Sequence, residues 1–201
     1  MKFFNAHTHL PQRTDEEVIR CCGLHPWKID AAWRDTFNLL FGPLHFPGYA
    51  PPEMLQAIGE CGLDRACHTP YDLQLQAFEA HITESERRHL PIILHCVRAT
   101  DDVLRLKAGT TQPWVWHGFR GKPQQLQQLL RHGFHVSFGF RHNAGSIAAC
   151  PANRLLLETD DVDAPIQPLY EQVAALRHTT AADLQRQLWE TAHTLIANMP
   201  P

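Results

Sequence analysis

The sequence predicts an α/β fold, and within that class a reduced (β/α) barrel of about seven parallel strands. Three observations carry the prediction. Short β-branched and aromatic runs, apolar almost throughout, alternate with helical patterns, as expected for parallel strands covered on both faces. Polar candidates for chemistry fall where a strand ends and a loop begins, and in a (β/α) barrel those ends share one face. The chain has 201 residues, whereas a full barrel takes ~250, so the barrel must be trimmed.

The strand-like runs are Lys2–Ala6, Val18–Gly23, Gln56–Cys61, Pro91–His95, Trp114–His117, Phe134–Phe138 and Arg154–Glu158. Between them, Asp72–His89 places Leu75, Phe78 and Ile82 on one helical face. Pro123–His132 starts with proline at a first-turn position and stops at Gly133. Thr180 caps a last helix running toward Asn198, with Asp183 completing a capping-box pattern. There is no repeat, low-complexity stretch or linker, so residues 1–201 read as a single domain.

Hydrophobic residues make up 44% and charged residues 19%, the balance of an ordinary globule. No apolar run approaches the ~20 residues that cross a bilayer, and the N-terminus lacks a basic segment followed by a long apolar core. The expectation is a soluble protein with no membrane partner. Six cysteines without a C-x-x-C pair, two of them adjacent at Cys21 and Cys22, suit buried thiols in a reducing cytoplasm. A net charge of −3 and a pI near 6.5 argue against gripping a long duplex through its phosphates. A DNA strand end or a short nucleotide substrate remains open. Fourteen histidines direct attention to metal and proton chemistry.

His7 and His9 form an H-x-H pair at the end of the first strand, where side chains two apart share a side and can reach one ion; a surface pair is the alternative. Glu60 lies in Gly59-Glu60-Cys61-Gly62-Leu63-Asp64, and a carboxylate inside an apolar strand requires a partner, a metal or an arginine. His95 and His117 each end an apolar run. Either alone would read as a satisfied core histidine, but the two occupy equivalent places. Asp160 follows Leu155-Leu156-Leu157-Glu158-Thr159, as a ligand or as a helix cap. Together these imidazoles and carboxylates suit a site for two divalent ions, Zn, Mg or Mn, that hydrolyses an ester, foremost a phosphodiester.

The ordered series Asn5-Ala6-His7-Thr8-His9-Leu10, Gly23-Leu24-His25-Pro26, Gly59-Glu60-Cys61-Gly62-Leu63-Asp64, His95-Cys96-Val97-Arg98-Ala99, His117-Gly118-Phe119-Arg120-Gly121 and Glu158-Thr159-Asp160 resembles the TatD family of metal-dependent deoxyribonucleases. That family belongs to the amidohydrolase superfamily of TIM-like barrels. Gln74 and Phe78 fit the helix after the glutamate motif. The resemblance implies that His7, His9 and Asp160 serve one metal and His95 and His117 the other, with Glu60 between them. It further implies that Asp160 and Glu60 are the catalytic carboxylates, Asp160 helping to activate the attacking water. His25 and Arg98, and with them Arg120, match positions where a substrate phosphate is met.

The departures bear on substrate. Asn5 stands where the family has aspartate. Only 15 residues separate His9 from His25, so the second strand and its helix are expected to be missing. Arg65-Ala66-Cys67-His68 replaces a tyrosine-bearing segment, and the loop after Asp160 is cut short. All six metal positions survive. Two rivals to the deoxyribonuclease reading follow: a hydrolase of another small ester, phosphoester or amide, and a non-catalytic metal-binding scaffold protein.

Overall fold

The computed structural model describes residues 2–42 and 54–196. In chain order the elements are β1 (Phe3–Asn5), β2 (Glu16–Val18), β3 (Cys21–Cys22), α1 (Trp33–Phe41), β4 (Ala57–Asp64), α2 (Tyr71–Arg88), β5 (Ile92–Val97), α3 (Thr100–Lys107), β6 (Trp114–Trp116), α4 (Pro123–Arg131), β7 (His135–Phe138), α5 (Ala144–Ala149), β8 (Leu155–Leu157), α6 (Gln167–Leu176) and α7 (Ala181–Leu195). The strands pair in parallel, and from β3 to β8 a helix follows each strand. The α/β class read from the sequence is the class observed. No described helix is long and apolar enough to cross a membrane. Asn198, toward which the last helix was expected to run, lies outside the described residues.

The chain forms two compact units. One is Met1–Ile19 with Val115–Pro201, and the other is Arg20–Trp114. In the first, β7 pairs with β6 and β8, and Ala6 N–H donates to Leu157 O at 2.8 Å just beyond β1. Phe4, Val136, Phe138 and Leu155 to Leu157 are fully buried, and Leu169, Val173, Leu184 and Leu188 of α6 and α7 are buried with them. Tyr170 on α6 donates its hydroxyl to Phe4 O at 2.7 Å and accepts from Phe4 N–H at 3.2 Å. That phenol satisfies both polar groups of one β1 residue. As the sequence suggested, Thr180 caps α7 by accepting from Asp183 N–H at 3.1 Å.

The expected run Val18–Gly23 is two strands. Glu16–Val18 pairs with β1, and Cys21–Cys22 pairs with β4. The second strand is therefore present, cut to three residues, and no helix separates β1, β2 and β3. Buried Glu16 explains why so short a strand persists. Its carboxylate accepts from Asn5 Nδ2 at 2.8 Å and from Ile166 N–H at 3.1 Å. Alternating hydrophobicity could not reveal it, because Glu16 and Glu17 read as polar loop.

In the second unit every residue of β4 is buried, β5 pairs beside it, and α2 covers them with Ala77 and Phe78. Close approach of β4 to β5 depends on glycine. Gly62 has φ +148°, and a Cβ there would stand 1.9 Å from His95 O. Buried His81 on α2 donates from Nδ1 to Ala77 O at 2.6 Å and accepts at Nε2 from Leu24 N–H at 2.9 Å. It thus ties the segment after β3 to the helix.

Candidate metal centre

In the first unit the donors come from the C-terminal ends of β1, β6 and β8. The chain past β1 bridges to the chain past β8: His9 N–H donates to Asp160 O and Asp160 N–H to His7 O, both at 3.0 Å. This ladder fixes the two histidines beside Asp160, whose backbone takes φ +53°. His7 Nε2 lies 3.4 Å from His9 Nε2, and His9 Nε2 lies 3.6 Å from Asp160 Oδ1. Ligands of one ion at ~2.1 Å can be at most ~4.2 Å apart, so the spacing fits a shared cation. His7 is buried, whereas His9 is exposed. Asp160 is no helix cap, because α6 begins only after Ile166.

His117 follows β6, its ring 5.0 Å from that of His7. Its Nδ1 faces Glu158 Oε1 at 3.3 Å, and the same oxygen accepts Gly118 N–H at 2.6 Å. With the Nδ1 proton directed at Glu158, Nε2 is the lone-pair nitrogen that can coordinate an ion. Glu158 is fully buried. Burial opposes its ionisation, but His117 and His7 hold its carboxyl below the usual value.

Asn5, where aspartate was expected, has its own local reason. Its amide donates to Glu16 Oε2 and to Thr159 Oγ1 at 2.9 Å, and its Oδ1 accepts Thr159 N–H at 3.1 Å. An aspartate there would set two buried carboxylates against each other. Asn5 therefore aligns the Glu158-Thr159-Asp160 segment with β1.

In the second unit Glu60 and Asp64 project from β4 and His95 from β5. His95 Nδ1 lies 2.8 Å from Glu60 Oε1, and its Nε2 lies 3.3 Å from Asp64 Oδ2. Asp64 also accepts the Trp27 indole N–H at 2.6 Å and Ala66 N–H at 2.7 Å. Burial opposes ionisation of Asp64, but these bonds and His95 keep its carboxyl below the ordinary range. An anionic Asp64 holds the Nε2 proton of His95 and leaves Nδ1 as the coordinating atom beside Glu60. Gln74 steadies the loop after β4, accepting Asp64 N–H at 2.7 Å and donating to Asp64 O and Thr69 O.

His25 brings Nε2 to 3.2 Å from His95 Nδ1 and 3.4 Å from Glu60 Oε1, close enough for all three to share an ion. Its Nδ1, however, accepts Trp27 N–H at 3.2 Å. Neutral His25 therefore carries its proton on Nε2 and presents a donor, which suits an anion better than a cation. Arg98 follows β5 with φ +53° and is exposed. Arg120 follows His117 by three residues and is exposed. All six cysteines are free, and burial pushes the thiols of Cys21, Cys96 and Cys150 up to about 12. Each unit thus holds a cluster whose donor types and spacing suit a divalent metal.

The family model of the TatD related DNases matches residues 2–197. The chain belongs to this family. Among its relatives is the 3'-5' ssDNA/RNA exonuclease TatD of Pantoea sp. strain At-9b, 33% identical over 156 residues, which cover 69% of this chain and 55% of that protein. The chain thus spans about half the length of that exonuclease. The uncharacterized metal-dependent hydrolase YjjV of Escherichia coli K12 is 30% identical over 199 residues, 91% of this chain and 75% of YjjV. Among solved structures, a TatD family hydrolase of Entamoeba histolytica superposes with a TM-score of 0.75 at 16% identity, over 92% of this chain and 77% of that one. The crystal structure of the E. coli TatD homolog YjjV gives 0.71 at 24% identity, over 94% and 79%. These structures share the α/β fold of this chain.

Three groups escaped the sequence reading as individual contributors. Glu158 and Asp64, the carboxylates behind His117 and His95, stood inside motifs already noted, and their burial in apolar strands was the available signal. Trp27, 65% exposed yet hydrogen-bonded to Asp64, gave none.

Proposed function

We propose that this chain is a metal-dependent phosphodiesterase acting on DNA ends or short nucleotides. The observation that carries the reading is the pairing of two candidate coordinating histidines with buried anions: His117 with Glu158, and His95 with Asp64. Such partners fix the tautomer and raise ligand basicity, an arrangement that a merely structural histidine does not need. In this reading His7, His9, Glu60, His95, His117 and Asp160 are the ligands of two divalent ions, Zn, Mg or Mn. A divalent ion held by them supplies Lewis acidity and neutralises charge on the phosphoryl group.

Asp160 then accepts the proton of the attacking water, with Glu60 as the second catalytic carboxylate. The Nε2–H of His25 and the guanidiniums of Arg98 and Arg120 hold the phosphate oxygens. Only six residues separate Asp160 from α6, a short connection. Together with the net charge of −3, this favours a strand end over a long duplex. Six free cysteines support action in a reducing cytoplasm.

Asp160→Asn tests the reading. Asparagine keeps the shape and one ligand oxygen but removes the charge and most of the basicity. Hydrolysis of an activated phosphodiester should fall by roughly 10²–10⁴ while metal, assayed in parallel, stays partly bound. Equal rates in the two proteins would refute the role of Asp160.

A further inference from the structure

The first unit contains a small cleft, open to solvent, whose lining includes Arg120, Arg141, Glu158 and Asp160. Its construction follows from three neighbouring parallel strands. The end of β6 supplies His117 and Arg120, and the end of β8 supplies Glu158 and Asp160. The strand between them, β7, contributes no metal-binding candidate; the turn beyond it, Gly139-Phe140-Arg141, contributes Arg141. Both arginines are exposed, and neither has a hydrogen-bond or ion-pair partner among the described residues. Three other exposed arginines are paired, Arg13 with Asp163, Arg65 with Asp102 and Arg186 with Asp183. Asp160 and Asp161 line the same cleft, yet neither arginine turns to them.

We propose that Arg120 and Arg141 form a clamp for a phosphate monoester, the terminal phosphate of a nucleotide or of a short strand. Two unpaired guanidiniums match a dianion in charge, and their planar forks match its oxygens. The clamp rests on the hydrolytic reading of the neighbouring His7, His9 and Asp160 cluster, and it adds that substrates bearing a terminal phosphate are preferred.

Calorimetric binding of thymidine 5′-monophosphate and of thymidine to the purified protein, to Arg141→Met and to Arg141→Lys tests the clamp. The monophosphate should bind Arg141→Met roughly 10- to 100-fold more weakly, the usual weight of a charge-assisted hydrogen bond, with Arg141→Lys intermediate. Thymidine affinity should change little. Both variants replace an exposed side chain, and thermal melts will verify that they fold. Equal monophosphate affinity in all three proteins, or a parallel loss for thymidine, overturns the clamp. A wild-type protein that binds the monophosphate through Arg141 yet hydrolyses no phosphodiester keeps the clamp and overturns the hydrolytic reading. Hydrolysis by the wild type with normal monophosphate binding by Arg141→Met overturns the clamp alone.

Discussion

Replacing Glu158 with glutamine isolates the charge behind His117. Gly118 N–H donates to Glu158 Oε1 at 2.6 Å, so the glutamine amide is pinned with its oxygen in the same place and its NH₂ where Oε2 stood. His117 Nδ1 therefore keeps an acceptor and loses only the anion. Loss of such an outer partner usually costs 10- to 100-fold in metal affinity. The Nδ1 to Oε1 distance of 3.3 Å is longer than the ~2.7–2.9 Å of a strong charge-assisted bond, which places the effect at the lower end. We expect about tenfold weaker binding, or ~1.4 kcal/mol, for the ion that His117 serves. The assay is titration of chelator-stripped protein with Zn²⁺ and Mn²⁺ against a competing indicator dye, with urea denaturation of the metal-free protein in parallel. Denaturation midpoints within about 1 kcal/mol of wild type would show that the fold is intact. Wild-type metal affinity in Glu158→Gln would refute the reasoning that the carboxylate sets the ligand state of His117.

Asp64→Asn should weaken metal binding at His95 by a similar factor, and the same titration reads it as a loss at a second, separate step. Tyr170→Phe removes the group that satisfies both the N–H and the carbonyl of Phe4, and should cost roughly 1–3 kcal/mol in urea denaturation; an unchanged midpoint would contradict the clamp on β1. The third expectation concerns pH. Burial lowers His81 from 6.5 to about 4 against its bond to Ala77, and lowers His135 to about 4, assisted by Arg154. Their depressed folded values mean that the unfolded chain takes up protons first. Stability is therefore full above pH 6.5 and declines as pH falls toward 4, by on the order of 2 kcal/mol per histidine at pH 4.5. Urea denaturation at pH 7.5 and 4.5 checks the sign, and His81→Gln should reduce the decline.

The alternation of apolar runs with helical patterns was enough to read the α/β class and most strand positions, because buried parallel strands leave near-continuous hydrophobic runs. The six ligand candidates were legible for a related reason: each is a polar residue at the end of, or inside, such a run, where only a partner or an ion makes it tolerable. What stayed hidden depends on contacts distant in sequence. Nothing near Glu16 announces that its carboxylate joins Asn5 to Ile166, so β2 was not foreseen. Arg141 sits in a polar turn, and only the strand order brings that turn between the ends carrying His117 and Asp160. The tautomer of His25 was likewise invisible, since it is set by the backbone N–H of Trp27 in a short 3₁₀ turn.

The central claim is metal-dependent cleavage of a phosphodiester, and metal add-back to stripped protein tests it most directly. A 5′-labelled single-stranded oligonucleotide with a free 3′ end would be incubated with chelator-treated protein alone and then with Mg²⁺, Mn²⁺ or Zn²⁺. We predict no cleavage without metal, shortened products with at least one of the ions, and loss of those products in Asp160→Asn. An intact oligonucleotide under every ion, with metal demonstrably bound to the wild-type protein, would contradict the account.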